Sequence, residues 1–250
     1  GLAHFALLAA TVAVLSSSTQ SLAAKIGLFV AAGQFFGQVS NANAHELIHR
    51  GHRSLHHLGM WVYISLLFGH HTSAHVLVHH RYVATPADPN TSRLGENFYH
   101  YVLRAWVGSF KMGYQAEAAR ARPKWRNPYW VYVIGALGFM GAALAIAPAA
   151  LAVYVGLAGY AQMQLLMSDY VQHYGLMRRQ LAGGKWAPVT DRHSWNAPHW
   201  FSSLLMMNAP RHSDHHAHPN RPYPGLILHA TDEAPTLPSS LPAMGCIALI

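Results

Sequence analysis

Residues 129–168 contain no charged side chain. A bilayer span takes about 20 apolar residues, so this tract has room for two, with Pro148 near its midpoint as the turn. Backbone N–H and C=O groups find no water inside a bilayer, which restricts such segments to helices or closed barrels. Residues 22–44 offer a further span, with Lys25 near its outer end where the ammonium can snorkel to the headgroups. Residues 2–15 are apolar but short, and 16–21 (SSSTQS) form a polar turn. The two segments read as a helical hairpin that enters and leaves on one side. The chain opens at Gly1 and closes inside the apolar run 245–250, so it reads as an N-terminally truncated fragment. Its apolar start lacks the basic flank and cleavage site of a signal peptide.

Charge is scarce and unevenly placed. Charged residues make up 10% of the chain, against about 25% in soluble proteins. Of the 17 Lys and Arg, only Lys25 precedes residue 50, and none lies between Arg126 and Arg178. Basic blocks alternating with uncharged tracts follow the positive-inside pattern and place both blocks in the cytoplasm. That placement accounts for the net charge of +8. No nucleic-acid module is visible, and no nucleic-acid partner is expected. The single Cys246 excludes an internal disulfide framework and a cysteine-cluster metal site. Residues 61–68 are too short to span and read as buried or interfacial. Residues 81–126 read as polar, with turn signals at Pro86, Pro89 and Pro123, and 183–224 as polar and irregular. The expected fold class is all-α: an integral-membrane helical bundle with a histidine-rich cytoplasmic cap, formed as one domain over residues 1–250.

Twenty histidines are spread through the chain in groups. His45-Glu46-Leu47-Ile48-His49, His75-Val76-Leu77-Val78-His79-His80 and His212-Ser213-Asp214-His215-His216 share one logic. Residues three or four apart share a helix face, so each group can aim imidazoles at a common point. His173, in Asp169-Tyr170-Val171-Gln172-His173-Tyr174-Gly175, is a fourth element. Neutral imidazole binds iron, zinc, copper and nickel. Nine rings exceed the positions of one ion and suit two. Imidazoles crowded near spans without a ligand would be costly. His52, His56 and His71 continue the helical stripes and read as neighbours of the groups. His4, His57, His70, His100, His218 and His229 read as surface or interface residues, and His193 with His199 as structural or outer-sphere ones.

These boxes resemble the membrane alkane 1-monooxygenases, within the wider superfamily of membrane desaturases and hydroxylases. His45-Glu46-Leu47-Ile48-His49-Arg50 is similar to that family's HELxHK box. Residues 79–89 (HHRYVATPADP) are similar to its HHVRVATPEDP stretch, Gln172-His173-Tyr174-Gly175-Leu176 to its HYG motif, and Arg211-His212-Ser213-Asp214-His215-His216-Ala217 to its QRHSDHHA box. Asp232-Glu233-Ala234-Pro235 with Leu237-Pro238 matches a closing DEAPxLP stretch. The likeness is colinear over about residues 35–245. Five residues at three places depart from the pattern. Ala74 stands where the family has Glu, Val76-Leu77-Val78 replaces Asn-Arg-Gly, and Asp169 replaces the usual Asn.

The resemblance implies two non-haem irons held by His45, His49, His75, His79, His80, His173, His212, His215 and His216. It does not divide the nine between the ions. It implies O2-dependent hydroxylation of a medium- or long-chain alkane to a primary alcohol at the cytoplasmic side of a bacterial inner membrane. An unactivated terminal C–H bond is beyond acid–base chemistry, which is why a metal centre is required. Glu46, Asp88, Asp169 and Asp214, acidic and close to the boxes, are candidates to orient the ring nitrogens. The resemblance also implies a rubredoxin-type electron donor, for which Arg120, Arg122, Lys124 and Arg126 form a candidate basic patch. A fatty-acyl desaturase or an aromatic-methyl hydroxylase is the alternative on the same scaffold. A haem carrier needs only one or two axial histidines. A metal transporter would place ionisable groups at mid-membrane, and residues 129–168 have none.

Overall fold

A computed structural model describes residues 1–230 and 232–250. The regular structure of the described residues is helical, without a β-strand; two isolated bridges, Gln180 to Trp186 and Asn196 to Thr236, are the only sheet-like pairings among them. Three helices are long and apolar enough to cross a membrane: Leu22–Ile48, Tyr129–Ile146 and Pro148–His173. The uncharged tract therefore divides as expected. Ala147 is extended (φ −172°, ψ 155°) and Pro148 starts the next helix, a position where its missing N–H costs nothing.

The chain forms two compact units, residues 1–72 with 120–165 and residues 73–119 with 166–250. The first unit holds α1 (Leu2–Ser16), α2 (Leu22–Ile48), α3 (Arg53–Ser65) and the apolar helix Tyr129–Ile146. Two glycines one turn apart in α2 set its packing. A Cβ on Gly33 would overlap the ring of Tyr160, and one on Gly37 would overlap the Gln164 amide. Small residues at this spacing let helices approach closely enough for polar contacts between them. Gln38 Nε2 donates to Gln164 Oε1 (2.8 Å), Gln164 Nε2 to Gly33 O (2.9 Å) and Asn41 Nδ2 to Ala161 O (2.9 Å). Tyr160 is held by Gln34 (2.6 Å) and stacks on Phe29. With ring and amide both fixed, neither can yield. Gly33→Leu is expected to destabilise the protein by about 1–3 kcal/mol through overpacking, read as a lower Tm in detergent; an unchanged Tm would contradict this packing.

Within α2 the hydrogen bonding widens to a π-helical turn over Phe35–Ser40 before Asn41–Ile48 resumes. Such turns shift the register of every following residue, here the first histidine pair. Two histidines depart from the surface placement expected of them. His4 is 3% exposed, its Nδ1 paired with Ser40 Oγ and its Nε2 with Ser65 Oγ, both at 2.9 Å. It therefore ties three helices of the first unit together. His70 is also 3% exposed and lies against Phe68, and burial pushes its pKa down to about 3. Sequence cannot distinguish such rings from exposed ones, because the serines that satisfy His4 lie 36 and 61 residues away.

The second unit contains a helical stretch at 73–82, the helix Phe98–Ala118, the end of the long helix Pro148–His173, and the short helices Trp200–Leu205, His212–Ala217 and Leu241–Ile247. The helix Phe98–Ala118 lies inside the stretch read from sequence as polar and turn-rich. Asn97 caps it by accepting the His100 amide (2.9 Å). Its buried side carries Phe98, Tyr101, Ala105, Ser109, Gly113 and Glu117.

Candidate metal centre

The second histidine box is not a regular α-helix. His75–His79 forms a π-helical turn, with about 4.4 residues per turn instead of 3.6. Residues 79 and 80 therefore fall on either side of the direction set by His75. His80 Nε2 meets His75 Nε2 at 3.0 Å and His215 Nε2 at 3.1 Å. His79 turns to a different set of rings: its centroid lies 4.7 Å from that of His173 and 4.8 Å from that of His216. There, His212 Nε2 is 3.0 Å from His173 Nε2 and 3.1 Å from His216 Nε2. One ring nitrogen from each of His79, His173, His212 and His216 lies within 4.8 Å of the others, and all four residues are buried. The pairs expected from i, i+3 and i, i+4 spacing are thus partly split: His75 and His79 serve different groups, as do His212 and His215, while His212 and His216 stay together. In the first unit, His45 and His49 lie with ring centroids 5.0 Å apart.

The loop 83–97 exists to hold Asp88. Thr85, Asp88, Asn90, Thr91 and Ser92 are all buried, so their polar groups must be satisfied inside the protein. Asp88 Oδ2 accepts from His79 Nδ1 (2.8 Å) and Thr91 Oγ1 (2.7 Å), and Oδ1 accepts from the Asn90 amide (3.1 Å). Burial alone would push the Asp88 carboxyl up. The charge on His79 and these hydrogen bonds outweigh burial and hold it below the usual carboxylate range. The same pair raises His79 against the downward push of burial. Asn90 Nδ2 donates to Asp169 Oδ2 (2.7 Å), Tyr101 OH to Asn90 O (3.1 Å) and Ser92 Oγ to Tyr170 O (2.6 Å). The loop is thereby fastened to the end of the helix that presents His173.

In the neutral form that a metal would bind, His79 keeps its proton on Nδ1 toward Asp88 and its lone pair on Nε2, and that buried atom has no hydrogen-bond partner among the described residues. A convergent set of imidazole nitrogens with an unsatisfied lone pair fits a cation. Two ligand atoms at cis positions of an octahedral ion with bonds of about 2.1 Å lie about 3.0 Å apart, which matches the 3.0–3.1 Å separations in both groups. An all-imidazole donor set suits iron, zinc, copper or nickel.

The third box is positioned by residues that spacing did not reveal. Asn196, fully buried, accepts the Ser213 amide at Oδ1 (3.1 Å) and contacts Ser213 Oγ. It satisfies a first-turn donor of the helix His212–Ala217 that the helix itself cannot. Neighbouring Trp195 bonds to both sides of His173, its backbone N donating to Gln172 O (2.8 Å) and its indole to Tyr174 O (2.9 Å). An Asn beside a Trp in irregular chain carries no periodic signal. Asp214 is fully buried. It accepts from His218 Nδ1 (2.8 Å), from Arg221 Nη1 at both oxygens (2.6 and 2.7 Å) and from the Ile227 amide (2.8 Å). It therefore clamps residues 218–227 onto the box helix. Asp214→Ala is expected to weaken metal binding about 10–100-fold, measured by chelator competition; unchanged affinity would show that the clamp does not reach the ligands. Glu46 pairs with Arg50 one turn along. His71 packs against Phe68 and Tyr63, His56 bonds the Ile48 carbonyl, and His193 caps its own short turn at Thr190. His57, His100, His199 and His218 are exposed, while His229 lies between Asp191 and Asp214 at 3.5 and 3.7 Å. An apolar cavity of about 370 Å³ is lined by Tyr170, Val171, Tyr174, Trp195, Leu237 and Met244, among others.

Residues 20–248 match the family model described as fatty acid desaturase, and the chain belongs to that family. With its three apolar helices, it is an integral membrane protein. It is 32% identical over 232 residues to alkane 1-monooxygenase 2 of Pseudomonas aeruginosa, covering 90% of this chain and 61% of that protein. It is 34% identical to alkane 1-monooxygenase 1 of Alcanivorax borkumensis (82% and 52% covered), and 30% to the xylene/toluene monooxygenase hydroxylase component of Pseudomonas putida (78% and 53%). The chain thus spans about 60% or less of the length of these relatives.

Proposed function

We propose that this chain carries the metal centre of a non-haem di-iron monooxygenase that converts alkanes and O2 to primary alcohols. The observation that supports it most is the pair of histidine groups, each converging on Nε2 at 3.0–3.1 Å. His79, His173, His212 and His216 hold one iron. His75, His80 and His215 hold the other, and the family resemblance adds His45 and His49 to the nine ligands of the pair. Two ferrous ions supply the O2-reducing power needed to break a terminal C–H bond. The protein's part is to fix the rings. Asp88 keeps the His79 proton on Nδ1, Asn196 sets the start of the third box, and Trp195 holds the backbone on both sides of His173. Burial keeps His216 neutral, its pKa pushed far down by desolvation and by the surrounding imidazoles. An apolar substrate offers no polar handle, and an aromatic-lined cavity such as that beside Tyr170 and Tyr174 accepts one by burial alone.

The site faces the cytoplasm of a bacterial inner membrane, and a rubredoxin-type protein delivers the electrons. The basic run Arg120, Arg122, Lys124 and Arg126 steers that acidic donor, so donor-driven turnover should slow as salt rises; a rate indifferent to salt would exclude steering. The likeness to the xylene/toluene component favours aromatic-methyl hydroxylation as the second reading. Product analysis decides between them: 1-octanol from octane supports the first, and benzylic alcohol from xylene with no octanol supports the second.

A further inference from the structure

The helix Phe98–Ala118 carries an apolar face outward as well as inward. Its buried side carries Phe98, Tyr101, Ala105, Ser109, Gly113 and Glu117, while Leu103 is 71% exposed, Tyr99 58%, Val107 43% and Trp106 37%. At about 100° per residue these four outward positions fall within an arc of about 100°. Water-facing helices place polar residues there, and an apolar patch of this kind marks an interaction surface. The helix is not itself a span, since it contains Arg104, Lys111 and Glu117.

We propose that this face lies in the bilayer surface, with the helix parallel to the membrane plane and its apolar arc in the headgroup–acyl boundary. A bilayer is already required by the three spanning helices. Trp and Tyr favour that depth, where an apolar ring body and a polar tip are both accommodated. The exposed border of the arc carries the cation Lys111, and the acidic residue at the arc's own angle, Glu117, is buried and accepts from Ser73 Oγ (2.7 Å), so the exposed face suits anionic headgroups. The surface also continues beyond the helix. Tyr99 OH donates to Leu249 O (3.1 Å), bringing the C-terminal segment alongside, where Ile247 and Leu249 are exposed. The interfacial helix holds the second unit, with its two histidine groups, against the lipid from which an apolar substrate would come.

The test requires neither metal nor turnover, so its failure is distinguishable from failure of the catalytic reading. The full chain, with Cys246→Ser, is reconstituted in nanodiscs of neutral and anionic phospholipid and nitroxide-labelled at Leu103→Cys, Val107→Cys or Gln115→Cys. Amide exchange over 98–118 verifies the helix in each labelled protein. Lipid-soluble O2 should reach positions 103 and 107 in preference to chromium oxalate, with a ratio several-fold above that at 115. Oxalate access at 103 and 107 equal to that at 115 would put the face in water. Exclusion of both reagents would put it against a second copy or another protein. Either result overturns the proposal.

Discussion

Replacing His79 with alanine is expected to reduce bound iron and to lower alkane hydroxylation by at least about 10³-fold, since even the outer partners of a metal-bound histidine are worth about 10–100-fold. His79 has the buried Nε2 with no partner, and its other nitrogen is committed to Asp88. The informative control is His71→Ala. That ring is equally buried and lies eight residues earlier, but it packs on Phe68 and Tyr63 and belongs to neither group. Its loss should lower stability and leave iron in place. If the two variants lose iron equally, the assignment of His79 is wrong.

Asp88→Ala should have the second-largest effect, and it should act on two quantities. Removing the carboxylate leaves His79 Nδ1, Thr91 Oγ1 and the Asn90 amide without their buried acceptor. Breaking a buried, hydrogen-bonded pair of this kind costs about 3–5 kcal/mol, and iron affinity should fall about 10–100-fold because the His79 ring is free to rotate. Asp88→Asn keeps an acceptor oxygen and should recover much of the stability. It should recover less of the affinity, since the charge that favours a cation nearby is gone. Thermal unfolding with and without added iron separates the two effects. Equal stability of wild type and Asp88→Ala would contradict the buried network.

The spans were legible because the physics is local. A tract of forty residues with no charge and one proline near its middle reads as two apolar helices, and the break at Ala147 falls where Pro148 placed it. The boxes were legible as residue types but not as pairings. Periodicity assumed 3.6 residues per turn, and the π turn at His75–His79 reassigns His79 to another set of rings. The partners of those rings were partly legible. Asp88 was singled out as acidic and near a box, and it does bond His79, whereas Asp214 bonds His218, Arg221 and Ile227. Asn196 and the serines around His4 were beyond reach, because their contacts join residues far apart in the chain. The helix Phe98–Ala118 was obscured because its outward face is apolar too, which blurs the one-sided pattern that identifies a helix in water.

The central claim is tested most directly by the iron content of the detergent-purified protein, measured on the same preparation as octane turnover under a reducing system. The account predicts about two irons per chain, bound through imidazole, and 1-octanol as product. A folded protein that binds no iron and yields no alcohol would contradict it.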